Sequence, residues 1–323
     1  MFLGRILDYT YIHLNRYSRF FKKIRYEKFK NETVRFVEES DFQYGICNEP
    51  REKKIIISLT TYPARFDTLR LCLKSLLLQT VKPNKIIIYL GDDCKNSPLT
   101  ELEFFKQYGI DIVIKDEDLK SHKKYFYAMQ EYPNDIIITV DDDSIYPANL
   151  VENLLNAHEK NADCVVANRV HKIMRKLDGS LHSYNDWLNN YMGATQPSYN
   201  LIATGCGGVL YPPHCLDERA FDKEKIIQFC LTADDIWLKF METLHGTKVV
   251  WAKNSCPEPY TIQNSKSTPL YLENVGKFKN NMYIERLKNL YTIETNISLL
   301  IFIKFDKLLL SLFSLLFSLN KNI

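Results

Sequence analysis

The feature that most constrains this 323-residue chain is a set of short β-branched runs separated by helix-length segments. Lys54–Thr60 (KIIISLT), Lys85–Leu90 (KIIIYL), Ile110–Ile114 (IDIVI) and Asp135–Val140 (DIIITV) are too short for helices and carry almost no polar alternation. Strands of this kind are buried on both faces, which requires helices above and below a parallel sheet. The intervening segments provide them. Phe66, Leu69, Leu73, Leu76 and Leu77 recur at helical spacing within 66–80, a helix is predicted at 99–107, and 121–131 is amphipathic. The predicted class is therefore α/β, a mostly parallel sheet flanked by helices. In open sheets of this type ligands bind beyond the carboxyl ends of the strands, which draws together Thr60–Arg65, Gly91–Asp93 and Asp141–Asp143.

Beyond residue 150 the pattern loosens. A helix is predicted at 149–160, then a strand within 164–170 (CVVANRV), an aromatic loop at 182–193, and the glycine-bearing segment 204–213 (TGCGGVLYPP). A helix from Thr232 and a strand at 248–252 (KVVWA) follow.

The two ends differ from the middle. Residues 1–30 carry a net charge of +6, so the other residues carry −3 of the total of +3. This near balance excludes a whole-surface nucleic-acid binder. The basic arm, interleaved with Tyr and Phe, suits an anionic membrane surface, and a solvated or domain-packed helix fits the same residues. At the other end, 297–319 is nearly all Leu, Ile and Phe apart from a narrow stripe of Lys304, Lys307, Ser311, Ser314 and Ser318, with Asp306 also interrupting the run. Its longest uncharged apolar piece, Leu308–Leu319, is 12 residues, short of the ~20 that a helical span needs. An amphipathic helix resting at a membrane interface is expected, with docking on protein as the other fit. The eight cysteines form no CxxC pair and several lie in apolar runs. They read as reduced thiols, and no apolar leader stretch stands near the N-terminus, so a cytoplasmic setting is expected.

Three segments carry chemistry. Asp141-Asp142-Asp143 follows directly on IIITV. Adjacent carboxylates at a strand end repel, and a hard divalent cation relieves that repulsion. Continued strand alternation would point Asp141 and Asp143 to the same side; a solvated turn is the plainer reading. Thr232-Ala233-Asp234-Asp235 opens a helix. Thr232 as N-cap with Asp235 at N3 is a capping-box spacing, and a general base held at a helix start is the alternative. The glycines of 204–213 suggest backbone passing close to a ligand, or a bulge. Trp187, Tyr184 and Tyr191 can stack on a sugar or fill core, and His171, His182, His214 and His245 stand alone in the sequence.

As a set, SLTTYPARF, KIIIYLGDD, KKYFYAMQEYPNDIIITVDDDSIYP, SYNDW, TGCGGVLYPP and TADDIWLKF resemble a bacterial GT-A (Rossmann-like) glycosyltransferase related to family 2, over roughly 54–290. The resemblance implies a nucleotide-sugar-binding half at 51–150 and an acceptor and catalytic half at 151–290. An arm at 1–50 precedes them and a C-terminal helix at 291–323 follows. It implies a nucleotide-sugar donor, UDP-linked by preference, whose diphosphate reaches the protein through Mn²⁺ or Mg²⁺. Asp141 and Asp143 match the acids of the Asp-x-Asp motif and become the metal ligands. Thr60, Tyr62, Arg65 and Asp92 fall beside the nucleoside, and Lys123 or Lys124 at the diphosphate. Gly207 and Gly208 join the donor site. Asp235 matches the catalytic base and Asp234 a helper, with Asp where the family pattern has Glu at 234. The implied setting is surface polysaccharide or lipopolysaccharide synthesis at the inner face of the cell membrane, with a glycan or lipid-linked acceptor. With a single base and no covalent nucleophile, the expected stereochemistry is inversion.

Two other functions compete. A nucleotidyltransferase making an activated sugar would carry a Gly-rich basic loop after the first strand, and TTYPARF has no glycine. A non-catalytic carbohydrate-binding module would not need acids at 141, 143 and 235 together.

Overall fold

The strand runs named above assemble into one sheet. The computed structural model describes residues 27–176, 178, 180–253, 259–262, 274, 276 and 278–295. The first part of the basic arm and the apolar segment 297–319 lie outside the described residues. β1 (Ile55–Thr60), β2 (Lys85–Leu90), β3 (Ile110–Ile114) and β4 (Ile136–Thr139) are parallel neighbours in the order β3-β2-β1-β4. β5 (Ser144–Ile145) stands apart, paired antiparallel with Tyr260–Thr261, while β6 (Val165–Ala167), β9 (Val209–Tyr211) and β10 (Val249–Trp251) extend the main sheet to seven strands. β9 enters antiparallel between β4 and β6, and β10 runs parallel to β6. This is the mostly parallel, helix-flanked sheet that the strand pattern predicted. One sheet spans both halves of the chain.

Burial on both strand faces is realised in the packing. Ile55, Ile57 and Leu59 of β1 face α2 (Leu69–Leu77) and α5 (Leu150–Glu159), sharing a core with Leu69, Leu73, Leu76 and Leu154. Ile56 faces the other way, with Ile87, Tyr89, Ile137 and Ala128 of α4 (Lys123–Glu131). Past the one-turn α6 (Lys223–Lys225), a third core under the later strands gathers Trp237, Phe240 and Met241 of α7 (Asp234–His245) with Tyr291 and Leu287 of α8 (Lys279–Thr295).

Three predicted elements are redrawn. The helix at 66–80 shortens to a 3₁₀ turn at Pro63–Arg65 followed by α2, since the proline starts a tight turn rather than a long helix. The helix at 99–107 is the single turn α3 (Thr100–Glu103) running into a 3₁₀ segment. The strand in 164–170 splits at Asn168-Arg169 into β6 and β7 (Val170–Lys172), and β7 pairs antiparallel with β8 (Leu201–Ala203) in a separate ribbon.

The described part of the arm packs on the domain. The helix α1 over 27–39 buries Val37 against Leu78 and Ile145, and Phe42 sits among Phe104, Phe105 and Tyr108 at ring-centroid distances of 5.2–5.8 Å. Among the described residues no helix is long and apolar enough to cross a membrane. Cys256 lies outside the described residues, and the seven described cysteines are free thiols.

Candidate active site

The strand order reverses between β1 and β4, and the carboxyl edge of the sheet at that point opens into a cleft of about 520 Å³. This is where the chain order requires a crevice to form. Thr60, Arg65, Lys124, Asp141, Asp142, Asp143, Asp234 and Asp235 all border it, although they come from four separate parts of the chain.

The acidic triplet does not continue the strand. The chain turns at Asp142-Asp143 before β5, so strict alternation ends at Val140 and the three carboxylates divide between two cations. Arg65 pairs through Nη1 with both Asp142 and Asp143, the latter at 3.1 Å. Asp141 takes Lys124 Nζ at 2.6 Å. Extended-chain alternation is therefore not what sorts the three carboxylates: Asp142 and Asp143 share one guanidinium and Asp141 takes the lysine. Burial, then repulsion from Asp141 and Asp142, pushes Asp143 up to about 6. Asp142, 6 % exposed, is raised by burial against the pull of Arg65. Despite burial, these carboxylates raise the Arg65 guanidinium further.

The second acidic pair sits on the first turn of α7. Ala233, not Thr232, is the N-cap, and no side chain caps the helix. Thr232 Oγ1 instead meets Tyr283 Oη at 2.8 Å and donates to Asn274 at 3.1 Å. The capping-box spacing is not used, because the partners on and before α8 hold Thr232 away from the helix start. That leaves Asp235 for other work. Its Oδ1 accepts the Gly205 backbone N–H at 3.0 Å. Burial, then the charge of Asp234, pushes Asp235 up to about 8 against the opposing pull of Lys124.

Lys124 links the two acidic groups. Its Nζ lies 2.6 Å from Asp141 and 2.8 Å from Asp234. Burial opposes its charge, yet Asp141, Asp234 and Asp235 hold it well above the ordinary lysine value. In return, and against burial, Lys124 holds Asp234 down to about 2. The neighbouring Lys123 points elsewhere and pairs with Asp118. Of the two lysines carried by α4, only Lys124 borders the cleft.

The remaining predicted residues separate. Thr60 borders the cleft and donates from Oγ1 to the Tyr89 carbonyl at 2.7 Å. Tyr62 lies under the Arg65 guanidinium, 5.3 Å from ring centroid to Cζ. Asp92 is exposed on a 3₁₀ turn after β2 and does not border the cleft. Gly207 and Gly208 have packing reasons: a Cβ on Gly207 would stand 2.5 Å from Arg169 Cβ, and Gly208 has φ +84° against Leu150. The glycine that approaches the site is Gly205, where a Cβ would meet Lys124 Nζ at 2.9 Å and Asp235 Oδ1 at 3.3 Å. The segment 204–213 announced a close approach, but nothing in it distinguished which glycine makes it. Arg169, His171 and Asn280 also border the cleft, and no local motif marks the first and last.

The donor set suits a hard divalent cation in part. Clustered carboxylate oxygens, with Asp143 driven up by burial and then by its acidic neighbours, match what such an ion neutralises. Among the described residues no group of three His, Cys, Asp or Glu side chains is arranged to hold a metal. Asp141 and Asp143 therefore fit as a partial shell, the kind that substrate phosphates and water complete.

A doubly wound sheet with an acidic, lysine-bridged cleft at its switch point defines the class: an α/β protein with a crevice at its strand ends, where open sheets of this type bind ligands. Residues 56–211, from β1 to β9, match the family model described as "Glycosyl transferase family 2", and the match supports a glycosyltransferase. Among solved structures, the fold is similar to the "Mannosyltransferase PcManGT from Pyrobaculum calidifontis in complex with GDP-Man and Mn2+". The identity is 10% and the TM-score 0.46, over 87% of this chain and 74% of that one. No curated protein matches the sequence.

Proposed function

We propose that the chain moves a sugar from a nucleotide-sugar donor to a hydroxyl of a glycan or lipid-linked acceptor, with inversion and with the help of Mn²⁺ or Mg²⁺. The observation that carries this reading is the bridge through Lys124, which gathers Asp141 of the triplet and the Asp234-Asp235 pair into one cleft. Asp235, anchored by the Gly205 N–H, takes the proton from the acceptor hydroxyl as it attacks the anomeric carbon. Its raised affinity for protons suits that role. Asp234, kept ionised by Lys124, orients the acceptor and sets the charge beside the base.

On the donor side, Asp141 and Asp143 would hold the cation, which when bound offsets the charge building on the leaving diphosphate. Lys124 faces the same diphosphate. Thr60 and Arg65, with Tyr62 stacked beneath Arg65, form the nucleoside end. Asp92, Lys123, Gly207 and Gly208 stand back from the cleft. A UDP-sugar is the favoured donor. The reading includes surface polysaccharide or lipopolysaccharide synthesis at the cytoplasmic face of the membrane, with 297–319 and the basic arm as attachment points.

The test is a panel of UDP- and GDP-sugars incubated with the chain and scored for released nucleoside diphosphate in Mn²⁺, Mg²⁺ or EDTA. Release from at least one donor that stops in EDTA is expected. Release indifferent to EDTA sinks the metal assignment, and no release from any donor sinks the transferase reading.

A further inference from the structure

The contact between Lys124 and Asp234 joins the first turn of α4 to the first turn of α7, two helix starts far apart in the chain. Its length of 2.8 Å depends on what fixes one start against the other. Neither start fixes itself: the N-cap residues, His122 of α4 and Ala233 of α7, make no side-chain capping bond. The chain enters α7 from a π-turn over Ile226–Cys230, a form of helix that recurs at functional sites, and Leu231–Ala233 span what remains.

His122 reaches this approach from the other side. It ends a 3₁₀ turn over Lys120–His122, just before α4, and is fully buried without bordering the cleft. Its Nε2 lies 2.9 Å from the Cys230 carbonyl, 108 positions along the chain. A carbonyl only accepts, so Nε2 carries the proton. Burial keeps the ring neutral, holding it down to about 4 against the pull of Asp234. Nδ1 is then bare and accepts from Tyr125 Oη at 3.0 Å. The other acceptor near that phenol, the Ala220 carbonyl at 3.2 Å, already takes the Trp237 Nε1–H at 3.1 Å. The Cys230 carbonyl accepts the Ala233 N–H as well, at 3.2 Å. One imidazole thus ties the turn that leads into Lys124 to the carbonyl that leads into Asp234 and Asp235.

A polar network inside a core carries a desolvation cost that packing alone does not require. Apolar side chains fill such a volume without that cost, but they impose no direction. A neutral ring with one donor and one acceptor selects two partners and fixes the distance between them. We propose that His122 is a positioning residue: through its Nε2–H bond to the Cys230 carbonyl it holds the start of α7 against the start of α4, and so sets the Lys124–Asp234 contact and the place of Asp235. Its effect on rate rests on the transferase reading above; the tie itself does not.

Three variants of the full chain test it. His122→Gln reaches the Cys230 carbonyl with an amide N–H, whereas the shorter side chain of His122→Asn serves Tyr125 alone. Tyr125→Phe takes the phenol out of the same network and leaves the Cys230 bond. With the donor found in the nucleotide-sugar panel, Asn should lower kcat about ten- to a hundredfold and donor KM much less. Gln should regain most of that loss. Tyr125→Phe should lose melting temperature much as Asn does yet keep kcat within about threefold of wild type.

A second readout needs no turnover. The Asp235 carboxyl carbon, in chain labelled with ¹³C-aspartate and assigned by its loss in Asp235→Asn, is titrated around its value of about 8. His122 is neutral there, so its exchange for Asn changes no charge, and a displaced midpoint reports a displaced partner. Lys124 is a group that lowers Asp235. Its withdrawal should raise the midpoint by about half a pH unit or more in Asn, with Gln and Tyr125→Phe near wild type. An unmoved midpoint in Asn, or kcat losses that follow melting temperature alike in all three variants, overturns the proposal. Nitrogen NMR of wild type labelled with ¹⁵N-histidine, assigned by signal loss in His122→Gln, stands even where Asn does not fold: a bare Nε2 or a charged ring at pH about 7 overturns it too. A wild type that releases diphosphate from no donor defeats the transferase reading instead, while the midpoint and the tautomer still decide the tie.

Discussion

Two buried lysines, Lys124 in the cleft and Lys239 inside α7, meet opposite electrostatic fates. Lys124 is 3 % exposed and Lys239 is 2 % exposed, so both pay the same kind of desolvation. Among the described residues Lys239 has one ion-pair partner, Glu242 at 3.3 Å, itself 1 % exposed. One carboxylate does not offset burial: Lys239 is lowered and Glu242 is pushed up to about 7, so the pair drifts toward its neutral forms. Lys124 faces Asp141, Asp234 and Asp235, and the three together keep it charged. A buried ion pair with a single partner is a tolerated packing element, whereas a lysine given three carboxylates is an electrostatic hub. The surplus negative charge then falls on Asp235, the group proposed to take a proton.

Asp235→Asn should have the largest effect of any change that sharpens this contrast. Donor turnover to an acceptor should drop about 10²–10⁴-fold, with donor affinity and melting temperature little changed. In the wild type, kcat/KM should rise with pH on a group titrating well above the ordinary carboxyl range, because the ionised form is the base. Near-normal kcat with a fallen melting temperature would reduce Asp235 to a structural acceptor for Gly205.

The lysines themselves come next. Lys124→Met leaves the buried Asp234 and the half-buried Asp141 without their cation and should cost about 3–5 kcal/mol in urea unfolding at neutral pH. Lys239→Met leaves only Glu242, already inclined to protonate, and should cost about 1 kcal/mol. Equal losses would erase the distinction.

Glu242 also predicts a slope. Its folded value of about 7 lies above the ordinary 4.5, so folding takes up a proton between them. Stability contributed by this group is full below the lower value and falls as pH rises toward the upper one. Glu242→Gln does not titrate, and its unfolding midpoint should decline less than that of wild type between pH about 5 and 8. Asp235 gives a slope of the same sign in both proteins.

The smallest stability change is expected for Asp143→Asn. Removing one charge from the crowded triplet relieves repulsion, so the metal-free melting temperature should stay level or rise slightly. Strengthening of nucleoside diphosphate binding by Mn²⁺, measured by calorimetry, should disappear in the same variant. Its survival would remove Asp143 from the cation shell.

Much of the fold was legible because its signals are local. The runs at 54–60, 85–90, 110–114 and 135–140 became β1 to β4 within a residue or two at each end. The prolines and the Asn168-Arg169 break were also visible, but where a helix shortens or a strand changes sheet depends on what packs against it. In the site, the acids at 141, 143, 234 and 235 and the lysine at 124 were all named from motif and resemblance. Thr232 was misread because capping-box spacing is a local rule, and the partners that hold Thr232 lie 42 and 51 positions away.

By itself the sequence determined that this chain builds a parallel-type sheet with an acidic carboxyl edge. Apolar periodicity sets burial, and strand direction sets which ends meet. The tertiary structure alone decided which groups share a charge. Arg65 reaches Asp142 across 77 positions, Lys124 rather than its neighbour turns into the cleft, and Gly205 rather than Gly207 or Gly208 yields space for Asp235. Ion pairing falls off with distance in space and depends on the water excluded around it, and neither quantity is written along the chain.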